Sequence, residues 1–334
     1  MRAGVVGCGK IGSEFSDDPL IAGIYSHAGA YAASGRTDLV GVCDSDAARA
    51  ARCAERWGLK RGHTRVGAML EEVRPEVVSV CTPNETHGAV LEEILESPHI
   101  RGVLVEKPLA LRTSEAMTLL AKARARDVRL AVNYSRRYAA SHREVKELLD
   151  AGALGTLQAI TGLYVRGVLH NGTHWFDLVR WLVGEVEEVR ASGRDEAAAE
   201  DPTLDVDLAL VGGLRATLRG CRADAFSIFE MDLIGTEGRI RLSDSGHRIE
   251  RFVVGGSPHY SGYRALRAAE PMSGGLADVL VNAVDDLTIA IERGREPVCS
   301  GDNGVAALRV AEAALQSARE GGTVMVAPLV GAKP

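Results

Sequence analysis

The sequence is informative first for what it lacks. Its six cysteines, Cys8, Cys43, Cys53, Cys81, Cys221 and Cys299, are scattered with no CxxC pair. Neither a disulfide framework nor a thiolate zinc site is encoded, and reduced thiols in a cytoplasmic protein are expected. No apolar run reaches the roughly 18 residues of a membrane span. A strand-like run is already under way at Val5, which leaves no room for a signal peptide. The sequons Asn84-Glu85-Thr86 and Asn171-Gly172-Thr173 are then read as accidental. Basic residues do not predominate, 39 Lys and Arg facing 45 Asp and Glu for a formal charge of −6, so no nucleic-acid partner is expected. There is no internal repeat and no low-complexity tract. What remains is an ordinary globular composition, 46% apolar and 25% charged over 334 residues, enough for about two domains at roughly 150 residues each.

The first half alternates short apolar runs at 3–6, 39–43, 77–81, 102–105 and 129–132 with helical spacing at 47–57, 66–72, 88–95 and 114–125. This is the rhythm of a doubly wound parallel sheet with helices on both faces. After about residue 135 a helix at 141–151 leads into period-2 segments at 157–165, 187–192, 206–210, 215–221, 226–234, 238–242 and 248–253. These read as a large, mostly antiparallel open sheet in an α+β domain. Helices at 173–182, 275–292 and 304–320 interrupt or follow it, and 196–200 and 264–273 read as loops. The expected division is 1–133 and 134–334, with packing of the last helix back on the first domain left open.

Gly7-Cys8-Gly9-Lys10-Ile11-Gly12 follows the first strand directly. Glycines there admit close approach of a pyrophosphate, and the start of a helix supplies N–H donors. The second strand ends in Asp44, placed to accept hydrogen bonds from an adenosine ribose. A carboxylate there repels a 2′-phosphate, and Ser45 and Asp46 supply no cation, so NAD is favoured over NADP. The interval from Gly12 to Asp44 is 32 residues, against a usual value of about 20. The excess lies within 13–26 and reads as a cofactor lid, part of the substrate pocket, or a tolerated surface loop.

At Val103-Leu104-Val105-Glu106-Lys107-Pro108 a strand ends in Glu-Lys-Pro. With the glycine fingerprint, the chain resembles the glucose-fructose oxidoreductase / inositol dehydrogenase / MocA family. Further matches are Cys81-Thr82-Pro83-Asn84 with His87, Tyr134-Ser135-Arg136-Arg137-Tyr138, Gly172-Thr173-His174-Trp175-Phe176-Asp177, Gly235-Thr236-Glu237-Gly238 and Ser300-Gly301-Asp302. The resemblance implies a Rossmann domain followed by an α/β domain whose open sheet carries substrate and oligomer contacts. It also implies reversible oxidation of a ring hydroxyl on a sugar, sugar nucleotide or cyclitol, and a homo-oligomer, dimer or tetramer. It places Lys107 and His174 near the nicotinamide and the reacting carbon, and Thr82, Pro83, Asn84, His87 and Glu106 among the cofactor contacts.

The chemistry needs a base within reach of the hydroxyl that loses its proton as hydride departs, and a histidine suits that task. A lysine at the carboxyl end of a parallel strand can share the proton or stabilise the alkoxide. The family commonly has an aspartate four residues before the histidine, and here that position is His170. His170 stands either as an acid or base of its own or as a contact for an anionic substituent. A His170/His174 metal pair is the rival, but Gly172 breaks the helical context and no third ligand is apparent, so no metal is expected. Asp177 reads as a local structural partner of His174, and Trp175 and Trp181 as core. Arg136, Arg137 and Tyr138 are substrate candidates or an interdomain ion-pair cluster. Tyr164 and Arg166, alternating on a strand toward the substrate, and Thr173 are further candidates. The reading is an NAD-dependent dehydrogenase of a sugar-like secondary alcohol. The alternatives are cyclitol oxidation, keto-sugar reduction, and a non-catalytic dinucleotide and sugar sensor.

Overall fold

A computed structural model describes residues 1–193, 200–272 and 275–327. The expected loop residues 196–199 and 273 lie outside the described residues. The chain divides into two compact units, Met1–Tyr138 with Ala277–Val305, and Ala139–Leu276 with Ala306–Pro334.

The first unit opens with β1 (Arg2–Val6), α1 (His27–Ala33), β2 (Asp38–Cys43), α2 (Ala47–Arg56), α3 (Val66–Val73) and β3 (Val77–Val80). It continues with α4 (His87–Glu96), β4 (Gly102–Val105), α5 (Thr113–Ala125) and β5 (Arg129–Val132). The strands form one parallel sheet in the order β2-β1-β3-β4-β5. β3 and β4 are buried throughout, as strands covered on both faces must be. An isolated parallel bridge between Cys43 and His63 marks a vestigial further strand beyond β2. Strand order reverses between β1 and β3, and ligands of such sheets bind outside the carboxyl ends at that reversal.

One expectation is corrected beside it. A helix does not run straight on from the glycines. The N–H groups of Ser13 and Glu14 bond the Gly9 carbonyl, making a single turn. The chain then leaves through a 3₁₀ turn, Glu14–Asp17, and α1 begins only at His27. The N–H groups of His27 and Ala28 return to the carbonyls of Ile11 and Gly12, each at 2.9 Å. That is the register of a continuous helix with the twelve residues 15–26 looped out. Removing those twelve from the 32 residues between Gly12 and Asp44 restores the usual interval of about 20. The loop's base is pinned by Trp57 Nε1 donating to Ser13 Oγ at 2.9 Å and by an Arg56–Asp17 ion pair, while Leu20 is exposed.

The second unit carries α6 (Ala140–Asp150), β6 (Leu157–Tyr164), α7 (Thr173–Leu182), β7 (Val186–Gly193), β8 (Leu204–Leu210) and β9 (Arg215–Gly220). β10 (Phe229–Gly235), β11 (Gly238–Ser243), β12 (Arg248–Gly256) and β13 (Arg264–Ala268) follow. The chain ends its described part with α8 (Val279–Arg293), α9 (Gly301–Glu320) and β14 (Thr323–Met325). Nine strands make one sheet in the order β13-β12-β11-β10-β6-β9-β8-β7-β14, antiparallel except between β6 and β9. Phe229, Met231 and Leu233 of β10 alternate into the core. Gly162 of β6 leaves room for Trp175, whose ring a Cβ there would meet at 2.1 Å. The opposite face carries cross-strand ion pairs, Arg239–Asp232, Arg241–Glu230 and Arg219–Asp207.

The loop expected at 264–273 is corrected in part. Residues 264–268 are β13, paired with Phe252–Gly256 of β12. An exposed edge strand buries neither face, so it leaves no period-2 apolar signal. α8 belongs with the first unit, its Ile291 and Leu287 packing on Gly102 of β4. Trp175 is fully buried, whereas Trp181 is only half-buried.

Candidate active site

The three glycines of the fingerprint have three separate reasons. Gly7 has φ +95°, and a Cβ there would meet the Cys81 backbone at 2.5 Å. A Cβ at Gly12 would lie 1.9 Å from the Gly7 carbonyl oxygen. Gly9 faces open space, with nothing within 4 Å of an added Cβ. The first and third therefore shape the turn, and the second leaves a cradle for a ligand's approach. Asp44, at the end of β2, is buried. It accepts the Cys8 N–H at 2.9 Å on one oxygen and the Asp46 N–H at 2.9 Å on the other. Arg49 Nη1 lies 3.4 Å from it and also faces Asp46 and Glu14. Lys10 and Ile11 form the turn over this edge.

At the end of β3, Thr82 Oγ1 is buried without a hydrogen-bond partner in the protein, a state that a bound polar ligand relieves. Pro83 is exposed and Asn84 half-buried. His87 is different from the expectation of a cofactor contact. It is fully buried, and its ring nitrogens lie 2.7 and 2.8 Å from the carbonyl oxygens of Pro108 and Thr82. Its side chain ties the β3 loop to the Glu-Lys-Pro segment.

At the end of β4, Lys107 is buried, and the Lys107–Pro108 bond is cis. Glu106 Oε1 lies 2.8 Å from His27 Nε2 and accepts Asn133 Nδ2 at 2.6 Å. Burial pushes the Glu106 carboxyl up, but the hydrogen bond and charge of His27, with Asn133 and Lys107, outweigh it and hold it below its ordinary value. Arg136 is half-buried and Arg137 and Tyr138 are buried, in the 3₁₀ turn Ser135–Tyr138. Burial lowers the Arg136 guanidinium to about 10 and raises the Tyr138 phenol.

In the second unit, a π-turn over Gly167–Gly172 runs straight into α7, so Gly172 does not break the helical context. His170 and His174 thus lie four residues apart on one continuous spiral, both half-buried. Asp201 secures the turn, its carboxylate accepting the N–H groups of Leu169 at 2.7 Å and His170 at 2.9 Å. The His174 ring meets Phe229 edge-on with centroids 6.4 Å apart. Asp177 is buried. No cluster of three or more metal-ligating side chains occurs among the described residues, and none of the helices among them is long and apolar enough to cross a membrane.

Three substrate candidates are placed otherwise than expected. Tyr164 is fully buried and its hydroxyl bridges the Leu204 backbone, accepting the N–H at 2.8 Å and donating to the carbonyl at 2.9 Å. Thr173 is fully buried and donates its hydroxyl to the Leu169 carbonyl at 2.7 Å. Arg166 lies beyond the end of β6 with left-handed φ +65°. His27, Ser79, Asn133 and Asp201 act through partners distant in sequence and carry no local motif, so no signal in the sequence marks them.

The oxidoreductase family's NAD-binding Rossmann model matches residues 1–134, and the same family's C-terminal alpha/beta domain model matches residues 146–326. UDP-N-acetylglucosamine 3-dehydrogenase of Acidithiobacillus ferrooxidans is 31% identical, over 95% of this chain and 96% of that protein. Inositol 2-dehydrogenase of Rhizobium meliloti is 24% identical, over 98% of this chain and 99% of that protein. Levoglucosan dehydrogenase, solved in complex with NADH, has the same fold with a TM-score of 0.81 at 18% identity, covering 98% and 100% of the two chains.

Proposed function

This chain belongs to the oxidoreductase family with an NAD-binding Rossmann domain and a C-terminal alpha/beta domain, and on that premise we propose that it oxidises a secondary ring hydroxyl of a sugar, amino sugar or sugar nucleotide. The narrow form of the reading is oxidation at C3 with NAD as cofactor. The observation that carries it is the convergence of Gly9, Asp44, Thr82 and Lys107 at the carboxyl ends of four adjacent strands, β1, β2, β3 and β4. The relatives named as sugar-nucleotide and inositol dehydrogenases along nearly their whole lengths support the substrate class.

The residues present fit a dinucleotide. Gly9 leaves the cradle open, Thr82 Oγ1 is an orphaned polar atom, and Asp44 retains acceptor capacity for ribose hydroxyls. Asp44 favours NAD, because Arg49, the cation beside it, already faces three carboxylates and has little charge to offer a 2′-phosphate. NAD, when bound, supplies the acceptor for the hydride. Lys107 exchanges a proton with the substrate oxygen or stabilises the alkoxide, and His174 is the proposed general base, with His170 in place of the family aspartate. Arg136 and Arg137 are proposed to hold an anionic substituent such as a diphosphate. The charged outer face of the nine-stranded sheet is the proposed contact of a homo-oligomer.

The experiment is absorbance of NADH during incubation of the purified protein with NAD and a panel of sugars, sugar nucleotides and cyclitols. Turnover of a sugar nucleotide or amino sugar is expected, and a response to cyclitols alone redirects the substrate class. Silence toward the whole panel in both directions, with NAD bound, would favour a sensor. Lys107→Ala is expected to lower kcat by about 100-fold or more while leaving NAD affinity within a few-fold. Unchanged turnover would overturn the role of Lys107.

A further inference from the structure

Behind Lys107 runs a line of buried polar groups that no substrate or cofactor contact requires. His27, the first residue of α1, is fully buried. Its Nε2 lies 2.8 Å from Glu106 Oε1, and its Nδ1 lies 2.8 Å from Ser79 Oγ. Ser79, on β3, lies 2.9 Å from the hydroxyl of the fully buried Tyr31, one turn along α1. Asn133, just past β5, donates to the same oxygen of Glu106. α1 and the end of β5 thus meet on one carboxyl group that immediately precedes Lys107, with Ser79 of β3 backing His27.

A carboxylate in such surroundings loses water, and without compensating donors it takes up a proton instead. Here an imidazole N–H and an amide N–H compensate on a single oxygen, and Lys107 adds charge. Another titratable group beside Glu106 is Cys81, at the end of β3. Burial and the Glu106 charge raise that thiol well above its ordinary value, so it stays neutral and contributes no competing charge. The charge at Glu106 therefore depends on His27 more than on any group that faces solvent. The looped-out residues 15–26 do not disturb this, because α1 re-enters in the register that delivers His27 to Glu106.

We infer that His27 is a positioning residue of the oxidoreductase chemistry: its Nε2–H fixes Glu106 as an oriented carboxylate, and that charge sets how firmly Lys107 holds its proton. The inference rests on the dehydrogenase reading, in which Lys107 exchanges a proton with the substrate oxygen. Neither removing the imidazole nor neutralising the carboxylate touches substrate directly, so both act on the rate through Lys107.

The test compares the full-length protein with H27L, H27N, H27Q, E106Q and the H27L/E106Q double variant. In the absence of substrate, infrared spectra at neutral pH are expected to show the carbonyl stretch of a protonated carboxylic acid in H27L and H27N, which cannot reach Glu106 with an N–H. That band is absent from the unmutated protein and from H27Q, whose amide N–H takes the place of the imidazole donor, and adding E106Q to H27L removes it. In turnover, H27L lowers kcat by about 10- to 100-fold with KM for NAD nearly unchanged, E106Q lowers kcat at least as far, H27Q recovers most of the loss of H27L, and the double variant is no worse than E106Q alone. Additive losses, a missing carboxyl band in both H27L and H27N, or an H27Q as slow as H27L would overturn the inference. The infrared measurement needs no substrate. An unmutated enzyme silent toward every sugar would defeat the dehydrogenase reading, while the carboxyl band would still decide the pairing of His27 with Glu106.

Discussion

Two glycines three residues apart in the fingerprint, Gly9 and Gly12, answer to different forces. Gly12→Ala would drive a Cβ to 1.9 Å from the Gly7 carbonyl oxygen, backbone that cannot yield cheaply. It is expected to destabilise the protein by about 1–3 kcal/mol, read as a lowered Tm. Gly9→Ala meets nothing in the protein. It should leave Tm of the free protein in place and weaken NAD binding, measured by titration calorimetry; the reverse pattern would contradict the assignment of the cradle. Glu106 makes a pH prediction. Its folded value lies below the ordinary carboxylate value, so it contributes stability that is present above its ordinary range and lost as pH falls through the lowered folded value. The gap in unfolding free energy between the unmutated protein and Glu106→Gln should therefore close on acidification. A gap that held constant from neutral to acid pH would rule out the charge as its cause.

Among the elements, the looped-out segment is the one whose sequence and structure differ most. Its residues read as an excess of uncertain purpose, and the hydrogen bonds of His27 and Ala28 show that the dinucleotide helix closes around it. Deleting residues 15–26, so that Glu14 joins His27, is expected to give a folded protein that keeps NAD binding, as judged by circular dichroism and calorimetry. Loss of the fold would mean that the pins Trp57–Ser13 and Arg56–Asp17 hold more than the loop itself. The long regular elements were legible because their apolar residues recur at the period of a helix or a strand: α7 matches its expected span, and β4 and β5 match theirs. β13 and β14 were not, since an exposed edge strand and a three-residue strand bury too little for a pattern to appear.

For the molecule as a whole, ligand binding to the folded state alone raises stability by mass action, by about 2.7 kcal/mol at a hundredfold excess over Kd. NAD at such a concentration is expected to raise Tm measurably by scanning fluorimetry, and NADP at the same concentration to raise it less, because of Asp44. Equal shifts would mean that the Asp44 carboxylate does not discriminate. The first unit is assembled from distant stretches of chain, Met1–Tyr138 and Ala277–Val305. α8 covers β4 from nearly two hundred residues downstream, and the glycine at 102 is what admits its Leu287 and Ile291.

The sequence by itself determined the class of the two sheets, the fingerprint from Gly7 to Gly12, Asp44 and Glu106-Lys107, because these depend on periodicity and on short spacings that a turn or a strand end imposes. Only the tertiary structure decided which polar groups are committed elsewhere. Tyr164 and Thr173 look like substrate contacts in a string of letters, yet each is buried with its hydroxyl on a backbone carbonyl. His27 stands just past the excess residues 13–26 and carries no motif, yet it is the partner that packing brings to Glu106. A hydrogen bond between residues 79 positions apart carries no local period. It exists because a carboxylate only 12% exposed must be satisfied by whichever donor the packing brings to it.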